Sequence, residues 1–326
     1  MLTVNLIVIL ALCIVYGYIN GLHGSASVVA TVVSSRALGP RAALLLAAVG
    51  IGLGPFLLGV AVANTLGAEL LSPHVASAQV IVAALVGAIS WSALTLGLKI
   101  PSSISQALIG GLVGAGIAAA GPAGVQFVGL NKVLLALFLS PVLGLFAAYI
   151  LVRLTYRLAA GAFPAANRWL QRAQVVLSLV VAVAFGANDG QKMIAVMTLG
   201  LVATGLLDKF IVPEWVVAVS ALTIALGTLV GGRGVIQTLS KGFYKIRPVH
   251  GFSAQMASGV IILGAGLFGG PVSGSQVVTS SILGSGSADR IHKVRWGVAR
   301  QILIGWLLTI PLSGLVSFAV YTALLR

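Results

Sequence analysis

Apolar residues run through this chain in long blocks, near 2–20, 42–66, 75–98, 133–152, 174–187, 193–207, 212–231, 254–269 and 301–325. About 20 apolar residues cross the hydrocarbon core of a bilayer as a helix, so most of these blocks predict membrane segments. Two further stretches, 101–120 and 271–286, are rich in Gly and Ser and too interrupted for clean spans. The polar positions set inside apolar blocks are the informative ones. FGANDGQK at 185–192 places Asp189 and Lys192 among Val, Ala, Ile and Met. Charges in hydrocarbon are costly, so this stretch predicts a break in the helix that faces a protein interior or a watery cavity. NGLHGSAS at 20–27 is a second such interruption.

Composition makes the membrane reading firm. The 326 residues are 59% hydrophobic and 7% charged, with mean hydropathy +1.12. A globular surface cannot be made from that inventory. The net charge of +14 raises nucleic acid as a partner, but the cations fall in short clusters between apolar blocks. They are Arg153, Arg157, Arg168 and Arg172, then Arg233, Lys241, Lys245 and Arg247, then Arg290, Lys293, Arg295 and Arg300. That is the pattern of loops on the cytoplasmic side of a membrane, and it excludes a nucleic-acid stripe. The single cysteine, Cys13, allows no intrachain disulfide. No Lys or Arg precedes Arg36, so the first apolar block reads as a retained membrane segment rather than a signal peptide.

The chain repeats itself. IPSSISQALIGGLVGAG at 100–116 aligns with GPVSGSQVVTSSILGSG at 270–286, pairing Pro101, Ser103, Ser105 and Gln106 with Pro271, Ser273, Ser275 and Gln276. Each is preceded by one of the two polar interruptions. Residues 1–152 and 174–326 therefore read as two membrane repeats, joined by a basic cytoplasmic linker at 153–173 that carries four arginines and no acid. Interrupted segments at corresponding places in two halves point to a transporter binding site near the midplane.

The chemistry of those segments suits an anion. Proline preorganises the first turn of a helix, and the serines add hydroxyls beside its free backbone N–H groups and positive dipole end. Ser102, Ser103 and Ser105 from one start, with Ser273 and Ser275 from the other, surround one tetrahedral oxyanion in this reading. Close helix packing is the alternative use of such small residues. Asp189 reads as a cation ligand, a proton carrier or the acceptor for a protonated anion, with an ion pair to Lys192 as the plainer alternative. His23 reads as a titrating or anion-donating group, or as a packed neutral histidine.

GANDGQK, IPSSISQALIGGLVGA, RPVHGFSAQ and GPVSGSQVVTSSILG together resemble the signatures of the inorganic phosphate transporter (PiT) family, which also includes sulfate permeases. The resemblance runs from NGLHGSASVVATVVSSRALGP to VRWGVARQILIGWLLTIPLSG. It implies an all-α polytopic fold of about 10–12 membrane segments, with two inverted-topology repeats and broken or re-entrant helical hairpins. It also implies an anion site at the pseudo-twofold, cation-coupled symport and a homodimer in the cell membrane. The anion site then comprises Ser102, Ser103, Ser105, Gln106, Ser273, Ser275, Gln276, Asn188, Asp189 and Gln191. The coupling ion falls to Asp189, Asn20, His23, Ser27 and Gln255, with Asp189 the metal ligand if that ion is sodium.

The departures from the family's usual pattern all run one way. Its first aspartate is here Gly24, the asparagine after it is Ser27, its two histidines after Pro-Ser-x-Ser are Gln106 and Gln276, and its acid after Gly-Phe-x-Ala is Gln255. Fewer carboxylates weaken sodium sites and leave coupling open between sodium and protons. Phosphate, which carries a proton and profits from an acceptor, is the expected substrate, with sulfate the alternative. No organic cofactor and no nucleic acid is expected. An enzyme is excluded because Asp189 has no second embedded acid, and an anion channel is the remaining rival.

Overall fold

The computed structural model describes residues 2–98, 102–158, 165–231, 246–289 and 291–325. Pro101, residues 159–164 of the expected linker, and Arg233, Lys241, Lys245 and Arg290 lie outside the described residues. Among those described the chain is all-helical, with one isolated bridge between Leu71 and Val125. The helices are α1 (Leu2–Ser34), α2 (Pro40–Leu57), α3 (Ala61–Ala68), α4 (Ala78–Gly97), α5 (Ile104–Ala120) and α6 (Phe127–Leu158). They continue with α7 (Ala165–Ala203), α8 (Glu214–Val230), α9 (Pro248–Leu267), α10 (Gly274–Asp289) and α11 (Trp296–Val320).

Seven of them, α1, α2, α4, α5, α6, α7 and α11, are long and apolar enough to cross a membrane. Val128, Phe146, Leu303 and Leu315 stand on outward faces with more than half their surface exposed. Such a continuous apolar exterior is what a bilayer covers. Inside, Ser and Thr are tolerated because their hydroxyls donate back to carbonyls one turn earlier, as Ser258 does to Ala254 and Thr228 to Ile224.

Two expectations about broken helices are corrected. Block 174–187 and residues 193–203 of the next block are one helix, α7, which runs without interruption through Asn188 to Lys192. NGLHGSAS likewise lies inside the unbroken α1. The glycines there serve close packing instead of a break. A Cβ on Gly186 would strike the Ile51 backbone of α2, and one on Gly21 would strike Ile224 and Gly227 of α8. The expected linker is also largely helical at its ends, with α6 reaching Leu158 and α7 starting at Ala165.

The backbone leaves helical geometry at the Pro-Ser segments. Ser103 is extended (φ −107°, ψ 108°) and caps α5, accepting from the Gln106 N–H at 3.1 Å. Ser273 does the same for α10, accepting from the Gln276 N–H at 3.4 Å. The packing partners cross between halves: α1 lies on α8 and α7 on α2, while α11 covers α5 and α6 covers α10. Within halves α4 packs on α5 and α9 on α10. These pairs exchange when α1, α2, α4, α5 and α6 are matched with α7, α8, α9, α10 and α11.

Candidate functional site

The cross-packing brings the starts of α5 and α10 together. Ser103 Oγ donates to Ser273 Oγ at 2.8 Å, and Ser273 and Ser275 share a hydrogen bond of 3.2 Å. Two capped helix starts thus meet through their capping hydroxyls, with both positive dipole ends converging on one buried point. Ser105, one residue past the start of α5, turns to α7 instead and donates to Asp189 Oδ1 at 3.3 Å.

Lys192 closes this cluster. Its Nζ donates to Asp189 Oδ1, to Ser105 Oγ at 2.6 Å and to the Val272 carbonyl at 2.5 Å. Both partners of the ion pair are buried, Lys192 at 0% exposure and Asp189 at 3%. An ammonium has three donors, and here each has an oxygen. Asp189 is the one buried acid; Glu69, Asp208, Glu214 and Asp289 are partly or fully exposed. Asn188 donates to the Gly270 carbonyl at 3.1 Å, so α7 grips the Gly270–Ser273 link at two carbonyls.

Other expected site residues are placed elsewhere. Ser102 bonds Thr95 of α4 at 2.7 Å. Gln191 accepts from the Val62 and Ala63 N–H groups at 2.7 and 3.3 Å, which caps the short α3. Gln276 lines an apolar cavity of about 900 Å³ between α6, α10 and α11, beside Ser280, Trp296 and Arg300. The wall of that cavity contains neither Asp189 nor the paired serines. Gln106 is wholly buried, and both atoms of its side-chain amide lack a hydrogen-bond partner. A buried amide in that state is costly unless something bonds it.

The expected coupling-ion set divides along the helices. α1 and α7 run antiparallel, with Ile9 against Gly200, Gly17 against Met193 and Gly24 against Phe185. Asn20 therefore falls level with Asp189, and its buried Nδ2 is unpartnered. His23 falls level with Gly186 and turns to α4, where its Nε2 donates to the Ser92 carbonyl at 3.2 Å. Ser27, also buried, is level with Ala182. α9 runs parallel to α7, placing Gly251 against Gln174, Gly259 against Val181 and Gly266 beside Asn188. Gln255 is then level with Ser178, roughly 16 Å along the helix from Asp189 at 1.5 Å per residue. The structure does not bring Gln255 to Asp189.

Three participants had no clear sequence signal. The Val272 carbonyl belongs to the backbone, which side-chain identity does not mark. Thr95 is an ordinary Thr in an apolar helix. Phe185 has its ring between Gly24 and Gly274, where added Cβ atoms would come within 2.7 and 2.6 Å of it. The smallness of those two glycines was its only trace.

Comparison with known proteins agrees with this architecture. The solved structure of a sodium-dependent phosphate transporter superposes with a TM-score of 0.90 at 22% identity, covering 98% of this chain and 99% of that one, a likeness of fold. A probable low-affinity inorganic phosphate transporter of Rhizobium meliloti is 37% identical over 320 residues, 98% of this chain and 96% of that protein. Its Bacillus subtilis counterpart is 38% identical over 322 residues, 97% of this chain and 95% of that protein. The profile of the phosphate transporter family matches residues 20–317. This multi-pass membrane chain, a transporter and not an enzyme, belongs to the phosphate transporter family.

Proposed function

We propose that the chain is a symporter of inorganic phosphate, driven by a cation gradient, and that the anion binds where the starts of α5 and α10 meet. The observation that carries this is the direct Ser103–Ser273 bond joining two capped helix starts. Each start brings free N–H groups and a dipole end that favour negative charge. Ser103, Ser105, Ser273 and Ser275 add neutral hydroxyls, and the unpartnered Gln106 amide adds donors and an acceptor in a dry interior. The serines bond one another, and phosphate would exchange those bonds for bonds to its own oxygens. Neutral donors hold an oxyanion firmly enough to select it and loosely enough to release it.

Asp189 supplies what distinguishes phosphate from sulfate. Hydrogen phosphate carries a proton that a carboxylate accepts, whereas sulfate has none and is repelled. The relatives above are named for phosphate, which supports the same choice. Two repeats of inverted topology, residues 1–152 and 174–326 with the basic 153–173 segment between them, account for the exchange of packing partners between halves. That arrangement suits alternating access about a fixed midplane site.

The test is uptake of radiolabelled phosphate and sulfate into proteoliposomes, under an imposed cation gradient and without one. Saturable phosphate uptake that requires the gradient, and that sulfate does not inhibit, is expected. Sulfate uptake without phosphate competition would replace the substrate, and large unitary currents would make the protein a channel.

A further inference from the structure

The Lys192 ammonium stands where a coupling cation would be sought. This inference rests on the phosphate-transport reading and concerns the same cluster. Its three oxygens are a carboxylate (Asp189 Oδ1), a hydroxyl (Ser105 Oγ) and a backbone carbonyl (Val272). Those are the hard donors that bind an alkali cation. They come from three elements, α7, α5 and the link before α10, and they converge on one buried point that already holds a positive charge.

The occupant is covalently tethered. Lys192 lies one helical turn from Asp189, so its ammonium is always present at a local concentration that a bathing salt does not match. A sodium ion taking Asp189 Oδ1 would strand a charged lysine in an interior of Ala, Val and Met, the costly outcome for a broken buried pair. The matching place on α1 offers no second acid, since Gly24 faces the Phe185 ring. The residues present do not fit a sodium ion at Asp189.

We propose that Lys192 is a built-in counter-cation that takes the place of sodium on Asp189, so that this chain transports phosphate without a sodium requirement at that carboxylate. Removing the lysine side chain then exposes a cation cage of Asp189, Ser105 and the Val272 carbonyl, and sodium enters it.

The experiment is saturable binding of radiolabelled sodium to the purified full chain, by scintillation proximity, beside phosphate uptake in sodium and in choline media. Wild type is expected to bind no sodium saturably and to take up phosphate equally in both media under the same proton gradient. Lys192→Ala is expected to gain saturable sodium binding, which adding Asp189→Asn removes, together with a thermal midpoint that rises in sodium but not in choline. Saturable sodium binding by wild type that Asp189→Asn abolishes would overturn the proposal, as would a well-folded Lys192→Ala that binds no sodium. If Lys192→Ala does not fold, the wild-type comparison decides alone. Wild type that takes up no phosphate under any gradient would sink the functional reading, while the sodium-binding arms would still judge the cage.

Discussion

Gly24 on α1 and Asp189 on α7 each stand three residues beyond a glycine that packs onto the other half: Gly21 against Gly227 of α8, and Gly186 against Ile51 of α2. At the second place a carboxylate and, one turn on, a lysine form a buried ion pair joined to Ser105. At the first, Gly24 leaves room for the Phe185 ring, and Ser27 stands where the lysine would be. The scaffold is alike, but one side of the cluster is charged and the other is filled with hydrocarbon. A packed ring requires no partner, whereas a buried charge requires a complete one. One side of the cluster is therefore held by packing and the other by a paired charge.

The comparison breaks most sharply at Asp189. Asp189→Asn is expected to abolish gradient-driven phosphate uptake and to destabilise the protein by about 3–5 kcal/mol, because Lys192 is left charged and unpaired. A thermal melt beside the uptake assay checks both. Asp189→Asn with Lys192→Met should recover most of the stability and none of the uptake; wild-type uptake in either variant would remove Asp189 from the mechanism.

Next in size is the attempt to make the first side resemble the second. Gly24→Asp drives a Cβ to within 2.7 Å of Phe185, so a loss of about 1–3 kcal/mol from overpacking is expected. Combining it with Phe185→Ala makes room, and although Phe185→Ala alone costs about 3–5 kcal/mol, the double variant should lose less stability than the sum of the two single losses. Only in the relieved background should a new sodium dependence of uptake appear, since only there has the carboxylate space. Strictly additive losses would show that the ring is not what excludes a side chain there.

Where the two sides meet, Ser103→Ala with Ser273→Ala removes two hydroxyls worth about 0.5–1.5 kcal/mol each, and the apparent KM for phosphate should rise several-fold at unchanged expression. An unchanged KM would return these serines to helix packing. The smallest effect is expected off the site. Gln191→Ala removes the cap of α3 and should lower stability by about 1 kcal/mol while leaving KM as it was, in contrast to the serine pair.

Much of this was legible beforehand, for a definite reason. Apolar blocks and the scarcity of charge answer to the bilayer, a solvent that acts on every residue alike, so membrane helices could be read without knowing what packs on what. The two Pro-Ser segments were legible as helix starts because such signals are local, but the expected place of proline in the first turn was wrong. α10 begins at Gly274, after Pro271, and Ser103 and Ser273 are the caps, each accepting from the N–H three residues on. The supposed breaks at GANDGQK and NGLHGSAS misled because glycine has two uses, bending a chain and admitting a neighbour, and only the neighbour tells them apart. Gln191 has a role its sequence context did not signal, since its Oε1 caps the short α3.

The sequence by itself determined the solvent this protein lives in, the duplication of its Pro-Ser segments, the scarcity of carboxylates and the singular position of Asp189, all of them matters of composition, order and local capping. Tertiary structure alone decided that α7 passes unbroken, that Ser103 finds Ser273 across 170 residues of chain, and that Ser105 finds Asp189 across 84. It also decided that Phe185 occupies the space beside Gly24 and that Lys192 turns inward to Asp189 instead of outward to the membrane rim. Those outcomes depend on which helices lie against one another, and a buried charge or ring takes the one position where distant parts of the chain leave it an oxygen or a gap.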